Sequence, residues 1–140
     1  MLPLDTGVIL AVADTRDPDH AACVALMEGS TDEFVVTGLI VAEAAYLLMK
    51  KLGPGAEVAF ARSIANGELS VAELTAADWE RVADLCETYA DLPLGMSDAS
   101  LIAVAERLGS AAVATLDRRH FSVVVPSHVP AFTDVPERAP

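Results

Sequence analysis

A chain of 140 residues, 53% of them hydrophobic and with a mean hydropathy of +0.41, is sized for one well-packed domain and is too apolar for disorder, even at a net charge of −12. Only nine residues are Lys or Arg against 21 Asp and Glu, and the pI is about 4.4. That balance counts against an autonomous binder of nucleic-acid phosphates, although a divalent cation can invert the sign of an acidic site.

The elements are expected in alternation. Residues 2–4 read as a short strand and 6–13 as a short helix or turn. Residues 20–28 have the pattern of an amphipathic helix closed by Gly29, and 34–37 that of a second strand. Residues 39–52 form a helix that is apolar nearly all round, so burial is expected, and Gly53-Pro54-Gly55 stops it. A helix over 56–65 ends at Asn66-Gly67, and a third strand lies within 69–74. Thr75 and Asp78 are spaced as a capping-box variant before a helix over 76–90. After the loop 92–95, Ser97 or Asp98 caps a helix running to Leu108, and Gly109 closes it. Residues 112–116 read as a fourth strand and 122–125 as a fifth. The spaced prolines after Pro126 suggest an irregular tail, so residues 1–125 form the domain and 126–140 the tail. Strands alternating with helices point to an α/β domain.

The chain shows no uninterrupted apolar run approaching the ~18–20 residues of a membrane span. The apolar run 7–13 is preceded by Asp5 and by no basic residue, unlike a signal peptide. Cys23 and Cys86 sit among apolar neighbours on helical segments, without zinc-ligand spacing, and read as reduced core thiols. A soluble, cytoplasmic protein with no membrane contact is expected.

Four carboxylates occupy places where charge is costly. Asp5 closes the run Leu2-Pro3-Leu4, Glu43 interrupts the apolar helix 39–52, Asp98 opens the segment to Ala105, and Asp117 ends the run from Ala111 to Leu116. Asp5, Asp98 and Asp117 each have an ordinary alternative as a helix cap or turn residue. Glu43 has fewer, because its neighbours leave little wet surface. Asp5 and Asp117 fall at strand carboxyl ends, where open parallel sheets bind ligands. If the four converge, each pair repels by roughly 4 kcal/mol at 4 Å and an effective dielectric of 20, so a divalent cation, a cluster of Lys and Arg, or protonation must offset them. Carboxylates with no His or Cys at ligand spacing favour Mg²⁺ or Mn²⁺ over zinc. His120, three residues after Asp117, is a candidate substrate contact.

The segments Leu4-Asp5-Thr6, Val41-Ala42-Glu43, Ser97-Asp98-Ala99 and Ala114 to Phe121, in this order, resemble the PIN domain, and most of all its bacterial VapC toxin branch. The resemblance runs from about residue 2 to residue 125 and is strengthened by the stretch from Tyr89 to Ala99. It implies a three-layer α/β/α sandwich around a mainly parallel sheet, and a Mg²⁺-dependent endoribonuclease with catalytic Asp5, Glu43, Asp98 and Asp117. Asp5 and Asp98 are implied as direct metal ligands, with Thr6, Thr37, Ser97 and Thr115 orienting carboxylates. The implied partners are a cognate antitoxin and an RNA substrate, in a homodimer or a toxin–antitoxin hetero-oligomer, with the RNA expected in a dimer-spanning groove lined by Arg118, Arg119, Arg62 or Lys50.

Two rivals are weaker. A PIN-fold module that only binds a partner and regulates would not need intact carboxylates. A phosphoacceptor receiver or an Asp-x-Asp phosphatase needs a second acid near Asp5, where Gly7 stands, and the receiver also needs a late Lys, yet none follows Lys51.

Overall fold

The computed structural model describes residues 1–137. Five short strands and seven helices alternate along them. The strands are β1 (Leu2–Pro3), β2 (Phe34–Thr37), β3 (Ser70–Ala72), β4 (Ala112–Ala114) and β5 (Thr133–Val135). The helices are α1 (Thr6–Ala13), α2 (His20–Gly29), α3 (Gly38–Leu52), α4 (Pro54–Ala65), α5 (Ala76–Thr88), α6 (Met96–Leu108) and α7 (Arg118–Val123).

Every strand pairing is parallel: β1 with β2, β2 with β3, and β4 with β5. A bridge between Leu4 and Ala114 joins the two groups, giving the order β3-β2-β1-β4-β5. Leu2, Leu4, Val35, Val36, Val113 and Ala114 are all buried, so the sheet is covered on both faces. Parallel sheets require this, because their crossover helices lie on the faces. The order reverses at β1: the chain moves outward to β2 and β3, then returns to place β4 on the other side. Ligands bind outside the strand carboxyl ends at such a reversal.

Helix α6 is the most enclosed element, with every residue from Ala99 to Ala105 buried. Its small residues let it approach α5, and two ion pairs tie the helices together: Arg81 to Glu106 at 2.8 Å and Arg107 to Asp78 at 3.0 Å. Thr75 and Asp78 form the expected capping box at the start of α5. Gly109 closes α6 at φ 68°, a left-handed conformation that glycine adopts without a Cβ penalty.

Three expectations are corrected. Helix α3 is not buried all round: Ile40, Ala44 and Leu48 form one buried stripe, while Tyr46 and Met49 are 65% and 46% exposed. Residues 122–125 are not a strand, because α7 continues to Val123 and anchors the core through Phe121. The reason is topological. A parallel partner for β4 needs a crossover of roughly a dozen residues, which a strand starting at 122 does not have. The segment 115–132 supplies that crossover, and Thr133–Val135 takes the place beside β4. Residues 126–140, expected as an irregular tail, therefore contribute β5. Phe132 packs edge-on against Phe121, and Arg118 donates to the carbonyl of Pro136. The last three residues of that expected tail lie outside the described residues.

Candidate active site

An open cleft of about 730 Å³ lies at the carboxyl ends of β1 and β4, and Asp5, Glu43, Asp98, Asp117 and His120 all line it. The four acids singled out in the sequence come from four separate elements. Three stand at helix starts: Asp5 caps α1, Asp117 caps α7, and Asp98 lies in the first turn of α6. Capping and a shared site are thus not alternatives, because the same backbone turns that need an acceptor bring these carboxylates together. The partial positive charge of each helix start offsets some of their repulsion. Helix α6 begins earlier than expected, with Gly95 as cap, which moves Asp98 inside the helix.

Asp5 is the most constrained. It is 5% exposed, and both carboxylate oxygens are engaged. Oδ1 accepts from the Thr6 backbone N–H at 2.7 Å, and Oδ2 accepts from the Thr115 hydroxyl at 2.9 Å. Burial pushes its pKa up to about 7, with the neighbouring Asp98 and Glu43 carboxylates adding to the rise against these two hydrogen bonds. The Thr115 oxygen also accepts from the Asp117 backbone N–H at 3.0 Å, so one buried hydroxyl couples β1, β4 and the start of α7.

Asp98 is held above its ordinary range by burial, opposed by a hydrogen bond from His120 and reinforced by Glu43 and Asp117. His120 Nδ1 lies 2.7 Å from Asp98 Oδ2 and 3.3 Å from Asp117 Oδ2. Asp117 itself is 45% exposed along its side chain, and Glu43 stands on the exposed face of α3 rather than among the apolar residues that flank it in sequence.

The expected supporting hydroxyls divide. Thr115 orients Asp5 directly. Thr37 instead caps α3 through the Ile40 N–H and bonds Ser100, whose hydroxyl donates to the Ser97 carbonyl. The Thr6 hydroxyl is buried with no hydrogen-bond partner. Ser100 carries no sequence signal of its own, and its link to Thr37 spans 63 positions. Arg118, proposed as an RNA contact, is committed to Pro136, whereas Arg119 is exposed beside the site.

Beside the four acids the structure brings an imidazole into the cluster. Ligand atoms of Asp98, Asp117 and His120 lie within 4.8 Å of one another. Spacing hinted at it: His120 is one helical turn from Asp117. The rest of the signal, its approach to Asp98, is tertiary. Four carboxylates with one imidazole fit a divalent cation, and the burial of Asp5 beside other acids is the feature such an ion would relieve.

Comparison with known proteins gives a consistent result. The model of the PIN domain matches residues 3–125. Ribonuclease VapC26 of Mycobacterium tuberculosis is 38% identical over 133 residues, covering 95% of this chain and 98% of that one. Among solved structures, VapC20 of M. tuberculosis, described as a sarcin–ricin loop cleaving toxin, superposes with a TM-score of 0.79 at 19% identity, over 86% of this chain and 92% of that one. VapBC2 from Rickettsia felis, bound to a DNA fragment from its promoter, matches with a TM-score of 0.68 at 11% identity over 95% and 97%. At those identities the two structures speak to the fold.

Proposed function

The chain belongs to the PIN-domain family, in its VapC branch, and from that premise we propose that it is a toxin ribonuclease: a metal-dependent endoribonuclease that hydrolyses RNA phosphodiester bonds. The observation that carries this reading is the convergence of Asp5, Glu43, Asp98 and Asp117 on one cleft at the sheet's reversal point.

Asp5 and Asp98 are the residues that would hold the ion, Mg²⁺ or Mn²⁺. When bound, such an ion supplies charge for the scissile phosphate and leaving oxygen and makes a coordinated water more acidic. Asp5 keeps its orientation through Thr115 and Thr6. Glu43 and Asp117, the more exposed carboxylates, stand where one of them can accept the attacking water's proton. The starts of α1 and α6 direct backbone N–H groups toward the same cleft, which favours an anionic substrate. Arg119 is placed to meet the RNA backbone.

The partner read for this chain is an antitoxin encoded by its neighbouring gene. A second, apolar cleft of about 300 Å³, lined by Val8, Val12, Met27, Phe60 and Leu69 among others, supports a partner that buries an apolar helix face. Among the described residues no helix is long and apolar enough to cross a membrane, and both cysteines are free, which fits action on cytoplasmic RNA.

The test is cleavage of total cellular RNA by the purified chain with Mg²⁺ or Mn²⁺, followed by mapping of new 5′ ends. Cleavage at defined sites, lost in chelator and in Asp98→Asn, is expected. Equal patterns for wild type and Asp98→Asn would overturn the reading.

A further inference from the structure

Helix α3 forms one wall of the acidic cleft, and its outer side carries more than Glu43. Glu43 and Leu47, one turn apart, both line the cleft. Ile40, Ala44 and Leu48 make the buried stripe of the same helix. At about 3.6 residues per turn, Lys50 falls nearly in line with Glu43 two turns further on. Tyr46 lies between them, rotated toward solvent.

Tyr46 has no structural duty of the kind its counterpart has. Tyr89, the other tyrosine, is half-buried and accepts from the Val125 N–H at 3.0 Å. Tyr46 is 65% exposed, and Lys50 Nζ lies 5.8 Å from the centre of its ring. Lys51 adds a second positive charge in the last turn. Such an i, i+4 pair adds little to a helix by itself. Its place is what matters: Tyr46 stands ~4.5 Å and Lys50 ~10 Å along the axis from Glu43, at a rise of 1.5 Å per residue. An RNA strand whose scissile phosphate sits at the acids must run on over a wall of the cleft. The α3 wall offers it a ring face for a base and a cation for a phosphate. In a chain of net charge −12, this positive helix end complements a phosphate backbone, whereas two-fold pairing of two copies would set the patch against itself.

We propose that Tyr46 and Lys50 form a nucleotide subsite beside the acidic cleft, in which an unpaired RNA base stacks on the Tyr46 ring and an adjoining phosphate meets Lys50. A base inside a duplex has both faces covered by its neighbours, so the subsite selects single-stranded segments. It discriminates little among the bases, because each has a π-face. The inference names the substrate class of the site proposed above and rests on that reading.

The experiment measures binding apart from cleavage. The full chain carries Asp98→Asn so that RNA stays intact, and the probes are short single-stranded RNAs with 2-aminopurine at successive positions, beside their duplexes. Quenching of the label at one position is expected, with weaker binding of the duplexes. Adding Tyr46→Leu, apolar but without a ring face, is expected to abolish the quenching and weaken binding about tenfold, while Tyr46→Phe keeps both. Lys50→Gln is expected to lower the slope of log K against log salt by about 0.7. Circular dichroism confirms folding, and sedimentation gives the oligomeric state of each variant. Unchanged affinity or quenching in Tyr46→Leu, equal binding of duplex and single strand, an unchanged salt slope in Lys50→Gln, or a dimer that Tyr46→Leu dissociates would overturn the inference and leave the ribonuclease reading standing. Absence of RNA binding would overturn it too, and would remove that reading as well if the chain with Asp98 intact cleaves no RNA.

Discussion

Asp5 pairs a functional position with an energetic cost. An acid whose folded pKa is raised binds its proton more tightly in the folded state than in the unfolded one. Its ionisation therefore favours unfolding. For Asp5 the ordinary value is 3.8 and the folded value about 7, so the penalty grows as pH rises across that window and is complete above it. Its upper bound is about 4 kcal/mol. In metal-free protein, Asp5→Asn should therefore raise the melting temperature at pH 8 and leave it nearly unchanged at pH 4, while abolishing RNA cleavage; thermal scans at the two pH values check this. Added Mg²⁺ should also raise the wild-type melting temperature at pH 8, because it binds the folded state. Thr115→Val keeps the shape but removes both the donor to Asp5 and the acceptor for the Asp117 N–H. A loss of about 1–3 kcal/mol in urea unfolding is expected. The acid limb of the cleavage profile should move to higher pH, since the hydroxyl now holds the Asp5 pKa down.

At the scale of elements, the last strand closes the fold. Thr133 donates to the Ala111 carbonyl at 2.8 Å, and Thr115 donates to the Val135 carbonyl at 2.9 Å. The second bond positions the residue that orients Asp5, so the C-terminal segment reaches the site through one backbone contact. Removing residues 126–140 should cost about 2–4 kcal/mol from lost ladder bonds and exposed apolar surface. The bared edge of β4 should then promote association. Urea unfolding and size-exclusion chromatography of the truncated chain test both effects, and an unchanged midpoint would show that β5 does not support the domain. The valine run 123–125 has strong local strand preference, and only the crossover requirement of a parallel sheet reassigns it.

Across the whole molecule, charge and apolar surface are separated. Arg81, Arg107 and Arg118 are held by partners within the fold, which leaves at most six of the nine Lys and Arg side chains for RNA, against a net charge of −12. Local charge at the cleft, rather than global attraction, must therefore recruit the substrate. The apolar cleft near α4 is remote in chemistry from the acidic one. Ala59 is exposed on α4 and lines it, so Ala59→Glu should leave cleavage of RNA in vitro within about twofold of wild type, while protection by the co-expressed antitoxin is lost. Growth assays with and without the neighbouring gene, beside in vitro cleavage, separate the two effects.

What the sequence determined by itself was local and periodic: the alternation of elements, the capping box at Thr75, the stops at Gly53 and Gly109, and four acids at apolar boundaries. Such features follow from neighbours a few residues apart, and the order of the four motifs carried the family. The tertiary structure alone decided that Glu43 faces solvent on a half-buried helix and that Thr37 turns to Ser100. It alone decided too that a strand from the expected tail completes the sheet, and that His120 enters the acid cluster. Each depends on contacts between residues far apart in the chain, set by how a parallel sheet must be crossed and covered, and no local pattern encodes that distance.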